Sequence, residues 1–172
     1  MAENAKIAVV MGSKSDLSSV KDSFDIFRKF DIPFTSRIIS AHRSPEEAVD
    51  FARNAEASGI KVIICAAGMA AHLGGVIAAH TVLPVIGLPM ACEPFNGLDA
   101  LLSTVQMPPG IPVATMTVGK AGAKNAALFA LAILALSDKN VAENLKAFRC
   151  EQLETIRKAD AELQENLKNG SI

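Results

Sequence analysis

Apolar runs recur along the chain at Ile7–Met11, Phe34–Ile39, Val62–Ala66, Val85–Leu88 and Val113–Val118, and the segments between them carry helical spacing or helix-start residues. This alternation predicts five βα units and an α/β fold. The third run is apolar throughout and rich in β-branched residues, as a central parallel strand covered on both faces requires; the second alternates and suits a place nearer a sheet edge. By analogy with other five-stranded doubly wound folds, the expected strand order is 2-1-3-4-5.

The first helix is predicted from about Ser15 or Asp16 to Phe30, with Val20, Phe24, Phe27 and Phe30 on one stripe. The second starts at Pro45, a favoured first helical position, with Ser44 as its cap and Glu46 and Glu47 complementing its dipole. Asn125–Ser137 reads as a helix apolar nearly all round. After Asp138 the pattern changes to a long polar helix, about Val141 to Leu167, marked by Leu145, Phe148, Leu153 and Ile156. These two helices favour a homo-oligomer; the alternative is that the tail alone covers the apolar helix. No repeat, low-complexity linker or domain boundary interrupts the chain, so residues 1–172 are expected to form one domain, a core over about 6–138 followed by a helical extension over about 139–168.

Half of the 172 residues are apolar, yet Phe is the only large aromatic, so Ala, Val, Ile and Leu must build the core. Seventeen basic against eighteen acidic residues give a formal charge of −1. Their interspersion leaves no field suited to a nucleic-acid backbone or an anionic membrane, and a small-molecule ligand is expected. The segment Met1–Lys6 is polar and has no apolar signal core, which predicts a cytoplasmic protein. Cys65, Cys92 and Cys150 are unclustered, which fits a reducing compartment and offers no metal-ligand spacing. The most apolar stretch, Ala126 to Leu136, is too short to span a bilayer.

The chemistry concentrates at strand-to-helix corners. In a parallel α/β sheet these lie on one edge, the edge where such folds bind ligands. The first, Gly12-Ser13-Lys14-Ser15-Asp16, has a glycine for close backbone approach, a hydroxyl for an anion and a carboxylate for ribose hydroxyls; Ser13 and Asp16 are equally suited to plain helix capping. The second, Ser40-Ala41-His42-Arg43-Ser44-Pro45, offers a permanently charged donor fork and an imidazole able to move protons. The third, Ala66 to Leu73, is built of small residues around His72, which either meets a carboxylate or finishes a helix terminus. His80 reads as structural. Pro89–Cys92, Gln106–Gly110 and Gly119–Ala123 are candidate rim segments; the last fits neither a Walker sequence nor a dinucleotide fingerprint, so ATP and NAD are not indicated. Met69, Met90, Met107 and Met116 can pad a ligand, although core filling is the commoner use of Met.

Taken together, Met11-Gly12-Ser13-Lys14-Ser15-Asp16, Ser40-Ala41-His42-Arg43, Ala70-Ala71-His72-Leu73, Val105-Gln106-Met107-Pro108 and Lys124-Asn125-Ala126-Ala127 resemble the 5-(carboxyamino)imidazole ribonucleotide mutase family of purine biosynthesis. The resemblance runs from about Lys6 to Asp138. It implies a flavodoxin-like three-layer domain assembled into an octamer, with no metal or organic cofactor, moving a carboxylate from the exocyclic nitrogen of an aminoimidazole ribonucleotide to ring carbon C4. By the same resemblance Ser13, Asp16 and Arg43 bind the ribose phosphate with Ser40 beside them, and His42 transfers the proton. His72, with Gly68, Ala70, Ala71 and Leu73 of its loop, encloses the migrating carboxylate.

A sister group in that family carboxylates aminoimidazole ribonucleotide directly with carbon dioxide; it usually carries Ser-Ala-His-Lys at the second corner and Gly-Arg-Ser-Asn at the third. Arg43 and Ala70-Ala71-His72 match the mutases. Met69 and Gly74 stand where the commonest mutase pattern has Gly and Pro, and direct carboxylation is the alternative. A non-catalytic flavodoxin-like nucleotide-binding module is a more distant one. A phospho-acceptor receiver needs an Asp where this chain has Cys65-Ala66-Ala67, and a flavin binder usually supplies aromatics, whereas Trp and Tyr are lacking here.

Overall fold

The computed structural model describes residues 4–171. Met1–Glu3, the start of the polar segment on which the cytoplasmic expectation rests, and Ile172 lie outside the described residues. Five parallel strands, β1 (Ile7–Met11), β2 (Phe34–Ile38), β3 (Val62–Ala67), β4 (Val85–Pro89) and β5 (Ala114–Thr115), form one sheet in the order β2-β1-β3-β4-β5. The flavodoxin-like order expected by analogy is the observed one. β3 is buried along its whole length and lies at the centre of the sheet, whereas β2 is buried only at Thr35, exposed from Ser36 to Ile38, and forms an edge.

Helices α1 (Leu17–Lys29), α2 (Pro45–Ala55), α3 (Leu73–Ala78), α4 (Leu98–Val105) and α5 (Gly119–Leu134) connect and follow the strands. One face of the sheet presents Ala8, Val10, Ile63, Cys65 and Val85 to a cluster completed by Phe51, Ala52 and Ala55 of α2, Leu73 and Ile77 of α3, and Ala100 of α4. The period of two turns the alternate residues to the opposite layer. There Phe24 and Phe27 of α1 meet Phe34 of β2 at ring-centroid distances of 5.0 and 5.3 Å. Phe27 is fully buried, worth roughly 1.5–3 kcal/mol in transfer free energy.

The chain divides into two compact units, Met1–Ile133 and Leu134–Ile172. The second holds helix α6 (Lys139–Lys168), capped by Asp138, whose carboxylate accepts from the N–H groups of Asn140 and Val141 at 3.0 and 3.3 Å. Leu153, Ile156, Leu163 and Leu167 of α6 are exposed. No helix among the described residues is long and apolar enough to cross a membrane.

Four local expectations are corrected. The run Val113–Val118 pairs with β4 only over Ala114–Thr115, the opposite edge of the sheet from β2; one bond beyond it, Met116 N–H to Gly87 O at 2.9 Å, prolongs the contact. Gly119–Ala123, expected as a loop, is the first turn of α5, and the helix ends at Leu134 rather than Ser137. Gly122 sits there because a Cβ would strike the Thr117 carbonyl and come within 2.8 Å of Leu88 Cδ1. Ser44 occupies the N-cap position of α2 without a side-chain cap bond; its Oγ turns back to accept from Ser40 N–H at 3.1 Å, and it lies 3.2 Å from Ser40 O, to which it donates.

Candidate active site

The C-terminal ends of β1, β2, β3 and β4 surround a cavity of about 500 Å³ lined by the first corner, the second corner, the loop after β3, and Cys92 after β4. Such a volume suits a ligand of nucleotide size. Of the residues singled out from sequence, Ser13, Asp16, Ser40, His42, Arg43, Gly68, Ala70, His72 and Leu73 all line it. Ala71 does not: it is buried behind the wall, and its N–H donates to Ser103 Oγ at 3.0 Å. Ser15, Ala41 and Ala67 join the lining, as do Gly12 and Met69; Cys92 is the one member of the expected rim segments that reaches it.

The first corner resolves its two readings by combining them. Ser13 caps a single 3-10 turn, Lys14–Asp16, in a reciprocal box: Ser13 Oγ accepts from Ser15 N–H at 3.3 Å while Asp16 Oδ2 accepts from Ser13 N–H at 3.1 Å. Both residues nevertheless face the cavity. Ser15 Oγ lies 2.9 Å from Ser13 Oγ, so two hydroxyls stand side by side at the end of β1. Burial pushes the Asp16 carboxyl up from its ordinary range, against the opposing pull of the Ser13 N–H, the Ser15 side chain and the Arg43 charge.

Gly12 contributes its main chain. Its N–H donates to Ala66 O at 3.0 Å, and its carbonyl accepts from Arg43 Nη2 at 2.8 Å. A Cβ at this position would lie 3.9 Å from Ala66 O, an ordinary contact, so crowding by the protein is not what selects the glycine. Arg43 Nε donates to Ser40 Oγ at 3.3 Å, and that same hydroxyl accepts Arg43 N–H at 3.2 Å. The guanidinium thereby bridges the first two corners and brings its positive charge to the cavity that the Ser13 and Ser15 hydroxyls also line.

His42 Nε2 and His72 Nδ1 are 2.8 Å apart, with the rings at 85° and their centroids at 4.9 Å. One nitrogen donates and the other accepts, so a single proton lies between the two rings. His72 stands at the N-cap position of α3 and makes no side-chain cap bond there. Its ring serves His42, not the helix terminus. His80 is structural as expected: its Nδ1 donates to Val76 O at 2.8 Å.

Small residues set the remaining wall. A Cβ on Gly68 would lie 2.6 Å from Cys92 Sγ, so the glycine allows the β3 and β4 loops to close on each other. Met69 holds a left-handed backbone, φ +57°, at a cost of about 1–2 kcal/mol relative to the ordinary helical region. Its side chain is exposed at the cavity, whereas Met90 is buried beneath and Met107 packs against Gly75. The Cys92 thiol is pushed up by burial first, then by the carboxylates of Asp16 and Asp99. Among the described residues no group of three or more His, Cys, Asp or Glu side chains is placed to hold a metal ion.

The profile of a family described as AIR carboxylase matches residues 6–155. Over 144 residues the chain is 53% identical to the N5-carboxyaminoimidazole ribonucleotide mutase of Pyrococcus abyssi, covering 84% of this chain and 82% of that protein. Over 164 residues it is 48% identical to the protein of the same name from Mycobacterium leprae, covering 95% of each. The crystal structure of Treponema denticola PurE superposes with a TM-score of 0.84 at 30% identity, covering 92% of this chain and 98% of that one.

Proposed function

This chain belongs to the AIR carboxylase family, and from that premise we propose that it is a 5-(carboxyamino)imidazole ribonucleotide mutase of purine biosynthesis. It moves a carboxylate from the exocyclic nitrogen to ring carbon C4. The observation that carries the site assignment is the hydrogen-bonded His42–His72 pair, set in the same cavity as the guanidinium of Arg43 and the hydroxyls of Ser13 and Ser15.

The cavity divides the substrate into a charged end and a reacting end. Arg43 and the paired hydroxyls supply a permanent charge and short donors for the phosphate, and Asp16 accepts from ribose hydroxyls. Ser40 fixes the Arg43 fork. At the other end Gly68, Ala70, Leu73 and Met69 present small or apolar walls with few polar groups, suited to a flat ring and to carbon dioxide.

The reaction needs one proton to go in and one to come out. Breaking the exocyclic N–CO2 bond releases carbon dioxide and leaves the nitrogen to be protonated; C4 then attacks the carbon dioxide, and the proton left on C4 is removed to restore the ring. His42 serves both steps, giving a proton to nitrogen and taking one from C4. The bond to His72 Nδ1 lets the second imidazole share the charge while the proton is held. Confinement keeps released carbon dioxide next to C4, converting recapture from a bimolecular event into an intramolecular one.

Self-association into an octamer, in the cytoplasm, belongs to the same reading. Phe95, Leu98, Leu102 and Val105 line one stripe in and before α4 and are half or more exposed, a run of apolar surface suited to a second copy. The number eight comes from the family resemblance, and sedimentation of the purified protein tests it.

The activity test supplies the enzyme separately with the N-carboxylated ribonucleotide and with aminoimidazole ribonucleotide plus bicarbonate. Efficient consumption of the first alone is expected. Preference for the second converts the assignment to direct carboxylation, and binding without turnover of either converts it to a nucleotide-binding module.

A further inference from the structure

We propose that Ser103 of α4 is a positioning residue for the His42–His72 pair, its hydroxyl holding the loop between β3 and α3 in the backbone arrangement that delivers His72 to the cavity. This rests on the mutase reading of that cavity. Met69 stands at φ +57°, a region that residues bearing a Cβ enter reluctantly. Its side chain is 61% exposed, so packing of that side chain is not what keeps it there. Two residues further on, buried Ala71 donates its N–H to Ser103 Oγ at 3.0 Å.

Ser103 Oγ also lies 3.4 Å from the Met69 carbonyl oxygen and 3.2 Å from that of Ala100. The hydroxyl has one proton to give. Directed at Met69, it clasps the loop at residues 69 and 71; directed at Ala100, it stays within its own helix. In either state it remains the acceptor for Ala71. The adjoining peptide belongs to the same turn, since His72 N–H donates to Ala70 O at 2.8 Å. The position of the His72 ring, and with it the 2.8 Å bond to His42, therefore depends on a loop whose unfavourable backbone is held from α4. Ser103 is not among the residues lining the cavity, so it acts through the loop and not on the substrate.

Ser103→Thr and Ser103→Val have nearly the same shape and differ in the hydroxyl; Ser103→Ala removes the hydroxyl with the least change in volume. Turnover of the N-carboxylated ribonucleotide is expected to fall about tenfold or more in kcat for Val and Ala, and less than about threefold for Thr. KM should stay within about threefold in all, because the phosphate end is untouched. In a Met69→Gly background the loss caused by Ser103→Ala should shrink, since glycine takes a positive φ freely. Hydrogen exchange at the Ala71 amide, read by NMR on the protein without substrate, should quicken about tenfold or more in Ala and Val but not in Thr. Unchanged exchange across the series overturns the clasp. Faster exchange with kcat within about twofold of the parent in both Ala and Val overturns the positioning role. A parent protein that turns over nothing, while its Ala71 amide still responds as expected, defeats the mutase reading and supports the clasp.

Discussion

Arg43 donates Nη2 to the carbonyl oxygen of Gly12 at 2.8 Å, tying the loop after β2 to the loop after β1. The contact is to main chain, so it survives changes of neighbouring side chains, and only a planar fork can make it while also giving Nε to Ser40. The charge is thereby oriented by the protein's own groups.

Lysine at this position keeps the charge and loses the fork. Arg43→Lys should raise KM about tenfold or more with a smaller change in kcat. Because the side chain is exposed, stability should fall by less than about 1 kcal/mol. Steady-state kinetics and urea denaturation of the variant check both parts; an unchanged KM would remove Arg43 from phosphate binding.

His42→Asn retains a polar side chain of similar reach and removes the proton carrier. A fall in kcat of about 10²–10⁴ is expected, with product affinity by calorimetry kept within about threefold. Full activity in the variant would refute the role of His42. His72→Ala should cost less than His42→Asn, because it removes the partner and leaves the carrier in place.

Asp16 makes stability depend on pH with a definite sign. Burial, the largest cause, holds its native pKa above the ordinary 3.8, so the folded state binds its proton more tightly than the unfolded chain does. The contribution is fully present below the unfolded value and is lost as pH rises through the raised native value. The unfolding free energy of the parent, measured relative to Asp16→Asn, should therefore be highest near the acid end and decline with rising pH before levelling. Urea titrations from about pH 3 to 7 read this difference; a constant or growing gap is the adverse result.

Gly68 and Cys92 should be coupled. A methyl group at residue 68 comes within 2.6 Å of Cys92 Sγ, so Gly68→Ala should push the two loops apart and lower kcat/KM. Adding Cys92→Ala vacates the space and should recover most of the loss. Equal losses in the single and double variants would show that the contact does not control the cavity.

The architecture was legible because its signals are local. β3 announces a central strand by unbroken apolar character, β2 an edge by alternation, and Pro45 with Glu46 and Glu47 the start of α2. Alternating residues persist past Thr115 and suggest a longer β5, yet the pairing stops there although β4 runs on to Pro89, so the end of the ladder is not written in the residue pattern. Gly119 and Gly122 suggest a loop, yet the second is required inside the first turn of α5, where a Cβ would strike the Thr117 carbonyl and crowd Leu88, a constraint the residue pattern does not display. The corners disclosed their residue types but not their partners. Ser44 looked like a cap and instead braces Ser40, and Ser103 gave no signal, being one hydroxyl on a short helix 32 positions from Ala71.

By itself the sequence determined the parallel α/β class, and with it the convergence of Ser13, His42 and His72 on one edge, because strands running the same way all end on the same side. Only the tertiary structure decided which groups touch: His42 with His72 across 30 positions, Arg43 with Gly12 across 31, and Ala71 with Ser103. Those contacts depend on the spacing between loops of different βα units. Sheet twist and helix packing set that spacing, and no period along the chain encodes it.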